Sequence, residues 1–132
     1  MAALDLTFEK GLPSAQEEEK LLLGLAQSDH AQYWEKIEGL PVEAFSTEAC
    51  RRVFGRMQDI AARGEPFDRV VIASELIKWG QLDGVGGLAF LVSLDDAVPP
   101  APHIEQYIKR VMDKYHARRL IFAAQKLVEI GR

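Results

Sequence analysis

The chain has 132 residues and a mass of 14.8 kDa, room for one domain that buries roughly two-thirds of its unfolded surface, and too little for two comfortable ones. It is 48% hydrophobic and 27% charged, and its net charge of −4 excludes wholesale coating of nucleic acid or anionic membrane. The lone Cys50 cannot form an internal disulfide, no run approaches the ~20 apolar residues of a membrane span, and the first ten residues, with Asp5 and Glu9, do not read as a signal peptide. A cytoplasmic globular protein is expected.

Nearly every segment reads as helix. Residues 1–12 form a leader. Ser14 with Glu17 three positions on is a capping box: the hydroxyl takes the third amide of the first helix and the carboxylate returns the bond. That helix carries Leu21, Leu22, Leu23, Leu25 and Ala26, with Glu17, Glu18 and Glu19 near its positive end. Ser28 and Asp29 punctuate, and a second helix with Tyr33, Trp34 and Ile37 runs to Gly39 before Pro41. Thr47 caps a third, whose Cys50, Val53, Phe54, Met57, Ile60 and Ala61 recur every three or four residues on one face until Gly64 and Pro66 end it. Asp68 caps a fourth from Val70 to Trp79, stopped by Gly80; the β-branched run Val70-Val71-Ile72 imitates a strand, but cap and stop favour helix. A short helix from about Gly87 to Asp95 precedes Pro99-Pro100-Ala101-Pro102. No run alternates apolar and polar long enough to anchor a sheet. The expected fold is all-α: a compact helical head over 13–97, a Pro-rich connector over 98–102, and a long C-terminal helix within 103–132.

That last helix, from about Ile104 to Ile130, is the informative one. At 100° per residue, Ile104, Tyr107, Ile108, Val111 and Tyr115 fall within roughly 60° of one direction. From Ala117 onward Leu120, Ile121, Ala124, Leu127 and Val128 cluster on the opposite side, and Phe122 alone stays with the first stripe. The apolar face changes sides near His116, so one helix serves two partners. The chain reaches Arg132 without a helix to cover the second face, which predicts self-association or truncation. Charge divides in the same place. Residues 103–132 hold seven basic and three acidic side chains, net +4, against −8 for the preceding 102. An acidic head with a basic arm suits contacts between subunits, or simply a solvated helix with snorkelling lysines.

Catalytic chemistry is hard to find. Gly84-Val85-Gly86-Gly87-Leu88-Ala89 fits a dinucleotide fingerprint by letter, but a turn and not a strand precedes it, so the glycines are expected to let two helices meet closely. No G-x-x-x-x-G-K-[ST] occurs, and His30, His103, His116 and Cys50 lack metal-ligand spacing. Cys50 lies on the apolar face of its helix, where an inert core thiol is expected. Arg51, Arg52 and Arg56 could contact phosphates, but acidic surroundings favour salt-bridged surface arginines. An interaction module without catalytic residues, cofactor or metal is the expectation.

Several stretches together resemble the N-terminal domain of bacterial replicative DNA helicases of the DnaB type. They are Leu12-Pro13, Glu17-x-Glu19 and Leu23-Gly24, then Phe45, Val53-Phe54 and Met57. The most specific cluster is Gly64-Glu65-Pro66-x-Asp68, Glu75-Leu76, Gly80-Gln81-Leu82 and Val85-Gly86-Gly87, and Ala97-Val98-Pro99, Tyr107, Val111 and Arg118-Arg119-Leu120-Ile121 complete it. Ser46, Cys50 and Glu18 depart from the family's usual aromatic, histidine and alanine.

The resemblance implies a head followed by a helical hairpin, of which this chain would hold the first arm. It also implies pairing through hairpins into a trimer-of-dimers collar on a hexamer, docking of the primase C-terminal region and of a helicase loader, and ATP and Mg held by a C-terminal motor domain. Carried over by position, Phe90, Arg118, Ile121 and Leu127 would form a partner-docking patch, and Leu120, Ala124 and Val128 a self-association surface. Direct nucleic-acid binding would be weak or absent. The alternative is a stand-alone helical adaptor or DNA-binding regulator of a helicase, which salt-dependent binding of short duplex DNA would favour.

Overall fold

The computed structural model describes residues 11–131, so most of the expected leader lies outside the described residues. Seven α-helices occur among them: α1 (Gln16–Ser28), α2 (His30–Ile37), α3 (Glu48–Ala62), α4 (Arg69–Lys78), α5 (Leu82–Val85), α6 (Gly87–Asp96) and α7 (Ile104–Ile130), with a 3-10 turn at Val42–Ala44. The described residues contain no strand, and the all-α expectation holds.

Two caps work as the sequence implies, at Thr47 and Asp68, and Asp29, read only as punctuation, is a third. The carboxylates of Asp29 and Asp68 accept from the amides of Gln32 and Val71, and the Thr47 hydroxyl accepts from that of Cys50. Each satisfies one of the amides a helix start leaves unpaired. The capping box at Ser14 does not form. Helix α1 starts at Gln16 with Ala15 as its N-cap and no side-chain cap, because the residues ahead of it are held from elsewhere: the Pro13 carbonyl accepts a hydrogen bond from Arg118. Glu19 turns inward instead of staying with the exposed acids of the first turn. Fully buried, it accepts the Ser46 amide at 2.7 Å and so ties α1 to the end of the 3-10 turn.

The core lies around α1, which packs against α2, α6 and α7. Leu22, Leu23, Leu25 and Ala26 are completely buried, and an aromatic chain runs beside them from Phe45 through Phe54 and Trp34 to Phe67, with successive ring centroids 4.6, 5.6 and 5.1 Å apart. Edge and tilted contacts of this kind add to the area they bury. Cys50 is part of this interior; burial pushes its thiol pKa above the ordinary 9.0, as an inert core thiol requires.

Within the expected run Gly84 of α5 meets α3, an added Cβ there lying 2.7 Å from the Arg52 guanidinium, but the close approach of backbones occurs at Gly24, where an added Cβ would collide with the Leu94 carbonyl of α6. One turn on, buried Gln27 crosses the same seam, donating to the Leu91 carbonyl at 2.7 Å and to Asp95 at 2.8 Å, and Asp95 also pairs with Arg69. Gly86 and Gly87 serve a different need: φ of +112° and +69° make the sharp junction between α5 and α6, a backbone that side-chain-bearing residues resist. Helix α5 and the 3-10 turn, each a single turn, have no periodicity to betray them in sequence.

Candidate functional site

Helix α7 is 27 residues long, about 40 Å at 1.5 Å per residue. Its first half lies on the head, against α1 and the 3-10 turn. Ile104 and Val111 are buried there, and Tyr107, Ile108, Met112 and Tyr115 pack against the core. Exposed Lys36 of α2 reaches Glu105 at 3.1 Å across the start of the helix.

Arg118 closes this contact and is the last buried residue of α7 among those described. Its guanidinium donates to three backbone carbonyls: Pro13 at 3.0 Å, Glu43 at 3.2 Å and Ala44 at 3.1 Å. These come from the approach to α1 and from the 3-10 turn, so one planar fork ties three segments together. Burial draws its pKa down from the ordinary value while nearby Glu19 opposes the shift. Arginine nonetheless stays charged at neutral pH.

The remaining 12 residues, from Arg119 to Ile130, project roughly 18 Å beyond that clamp. Here the apolar side chains face solvent: Leu120 and Leu127 are each 71% exposed, Val128 54% and Ile130 81%. Ala124 and Ile121 are partly covered by their own helix neighbours. The three residues expected to form a self-association surface, Leu120, Ala124 and Val128, therefore lie on one protruding helix.

The four residues carried over as a docking patch do not share one environment. Ile121 and Leu127 are on the projecting half of α7, whereas Phe90 is on α6, half-buried against the core. Arg118 is committed to the head, its donors engaged with backbone carbonyls and the residue 8% exposed. Arg118 enters the expected patch only through the family resemblance; the carbonyls that claim it are distant in sequence and carry no pattern. Phe122 and Ile130 were overlooked. Phe122 continues the head-facing stripe in angle, but it lies one turn past Arg118, where the head has ended, and is 51% exposed. Its distance along the helix was the available signal.

The arrangement is that of an all-helical domain: a packed head from which a helix with exposed apolar side chains extends. Residues 11–113 match the family model described as the DnaB-like helicase N-terminal domain, and the chain belongs to that family. It is 36% identical over 127 residues to the replicative DNA helicase DnaB of Geobacillus stearothermophilus and 32% identical over 127 residues to the replicative DNA helicase DnaC of Bacillus subtilis (strain 168). In both cases the match covers 96% of this chain and 28% of the relative, so the chain spans little more than a quarter of the length of these helicases. The crystal structure of the N-terminal domain of DnaB helicase from Mycobacterium tuberculosis superimposes with a TM-score of 0.84 at 30% identity, covering 92% of this chain and 84% of that one. No helix among the described residues is long and apolar enough to cross a membrane.

Proposed function

We propose that this chain is the collar module of a hexameric, ATP-dependent replicative helicase in the cytoplasm, assembling the ring and docking primase at the fork. In this reading residues 13–97 are the head, 98–102 the connector and 103–132 the first arm of a helical hairpin, whose second arm or a neighbouring subunit covers the exposed stripe. The observation that carries it is the run of large apolar side chains on α7 beyond Arg118. Contiguous exposed apolar surface on this scale marks an interaction site, and burying it contributes about 25 cal/mol per Å² before association costs. Ile121, Leu127 and Phe90 are the primase-facing anchors, with a helicase loader as a further partner; Arg118 serves them from beneath by fixing the helix. Unwinding, with its ATP and Mg, belongs to the motor portion of the parent and not to these residues.

Sedimentation velocity over a concentration series tests the assembly. The chain is expected to self-associate reversibly, and Leu120→Asp with Val128→Asp to remain monomeric with unchanged helicity. A wild-type chain that stays monomeric at millimolar concentration contradicts the reading.

A further inference from the structure

The solvent side of α3 carries a feature that the collar reading does not use. Between the 3-10 turn and the turn joining α4 to α5 lies an open groove of about 380 Å³, whose lining includes Arg51, Arg52, Gly55 and Arg56 together with the carboxylates Glu48 and Asp59. Three guanidinium groups on neighbouring turns of one helix border one space. Their partners within the chain leave donors over. Arg51 gives one N–H to the Phe45 carbonyl at 3.0 Å, and Arg52 gives one to Glu48 at 2.6 Å. Arg56 bonds Asp59 at 3.2 Å and Gln81 at 3.4 Å, with its face 3.7 Å from the centre of the Trp79 ring. Each guanidinium has five donors, so among the described residues several are uncommitted, those of Arg51 and Arg52 above all, since the Arg56 side chain is only 14% exposed.

Gly55 is the second observation. It sits inside α3, where glycine weakens a helix relative to alanine or leucine. Its φ is not positive, and a Cβ built on it would meet nothing within 4 Å. Neither backbone conformation nor packing in the chain therefore calls for a glycine. What it provides is bare backbone in the wall of the arginine groove, where another molecule can approach closely.

We propose that this groove binds a compact phosphate group, seated against Gly55 and held by Arg51, Arg52 and Arg56. Guanidinium forks match phosphate oxygens in pairs. A single carboxylate would compete poorly with Glu48 and Asp59, which already hold two of the arginines, whereas a dianion with three oxygens can bridge all three. Those same carboxylates, in a chain whose first 102 residues carry a net charge of −8, disfavour a long polyanion strand. The ligand is thus a small one, free pyrophosphate or the phosphates of a nucleotide.

Calorimetric titration of this chain at low salt with inorganic pyrophosphate, ADP and adenosine tests the proposal. Pyrophosphate and ADP are expected to bind and adenosine to give no heat; ADP binding much more tightly than pyrophosphate identifies the nucleotide as the source. Arg51→Gln is expected to weaken pyrophosphate binding about tenfold, the contribution of one charge-assisted hydrogen bond. Gly55→Leu should raise the melting temperature and abolish binding, a combination that a structural role for this glycine cannot produce. The proposal is overturned if millimolar pyrophosphate gives no heat, if both variants bind as the unmodified chain does, if adenosine binds as well as ADP, or if single-stranded DNA without a terminal phosphate binds more tightly than either phosphate ligand.

Discussion

The two halves of α7 are one continuous helix with comparable numbers of apolar side chains, yet one half is buried against the chain that carries it and the other is bare. The difference is not in how hydrophobic each half is but in where the stripe points and whether a surface lies opposite. Up to Tyr115 the stripe faces α1 and the 3-10 turn; after Arg118 it rotates to the far side and the head has ended. A reversal in the phase of a hydrophobic repeat therefore marks a change of partner. Arg118 sits at the junction, so substitutions on either side of it test the comparison directly.

The largest effect is expected at the junction itself. Arg118→Ala leaves the carbonyls of Pro13, Glu43 and Ala44 without their donor in a place water barely reaches. Unpartnered buried polar groups cost about 1–3 kcal/mol each, and partial rehydration should limit the loss to roughly 3 kcal/mol in all. Arg119→Ala, one residue on and exposed, should stay within about 0.5 kcal/mol. Urea unfolding of both measures the contrast; equal midpoints would mean that the clamp does not hold the helix to the head.

Acid provides a gentler way to separate the halves. The Glu105 carboxyl is held below its ordinary 4.5, first by a backbone amide in the opening turn of α7 and then by the Lys36 ammonium. A carboxyl whose folded pKa is depressed adds stability that is complete above about 4.5 and is lost as pH falls through the lower folded value. Asp113, held below its ordinary 3.8 by Lys109, follows the same sign. Both lie on the head-bound half, while the projecting half has Glu129 as its one carboxylate. Amide protection in the first turns of α7, taken relative to the intrinsic exchange rate at each pH, should fall below about pH 4 and Lys36→Gln should blunt the change, with the far half barely responding. A uniform fall in protection along the helix would show that the two halves open as one unit.

How much of this was legible in the sequence depends on the range of the interaction. The caps at Thr47 and Asp68 and, to within a residue or two, the bounds of α3, α4 and α7 are local, decided by residues three or four apart, and are legible. So is the reversal of the apolar face, because helical periodicity is local too, and so are Arg52 and Arg56 as salt-bridged arginines, whereas Arg51, expected to do the same, gives its N–H to the Phe45 carbonyl. What failed was long-range. The Ser14 box gave way to a contact between Pro13 and Arg118, 105 residues apart. The burial of Arg118 is equally invisible in sequence, because its three acceptors are backbone atoms, which leave no trace in residue identity. The conspicuous run at Gly84–Gly87 meets another helix at the Arg52 side chain, whereas Gly24, an inconspicuous residue in the middle of a leucine-rich helix, is the one where a side chain would strike the backbone of another helix.

The smallest effect on stability is expected at Leu127, and that smallness sharpens the contrast most. With 71% of its surface already exposed, Leu127→Ala removes little that folding buries, so monomer stability should move by less than about 0.5 kcal/mol. If the bare half exists to meet a partner, the same change should weaken binding of the primase C-terminal region several-fold, since an aliphatic anchor contributes once it is desolvated in the complex. Val111→Ala is the mirror case. It empties a fully buried site on the head-bound half and should cost about 2 kcal/mol of folding, while leaving primase affinity of the folded chain nearly unchanged. Unfolding midpoints and binding isotherms for this pair should therefore move in opposite patterns, and a Leu127 variant that loses stability but keeps its partner would place the functional face elsewhere on the helix.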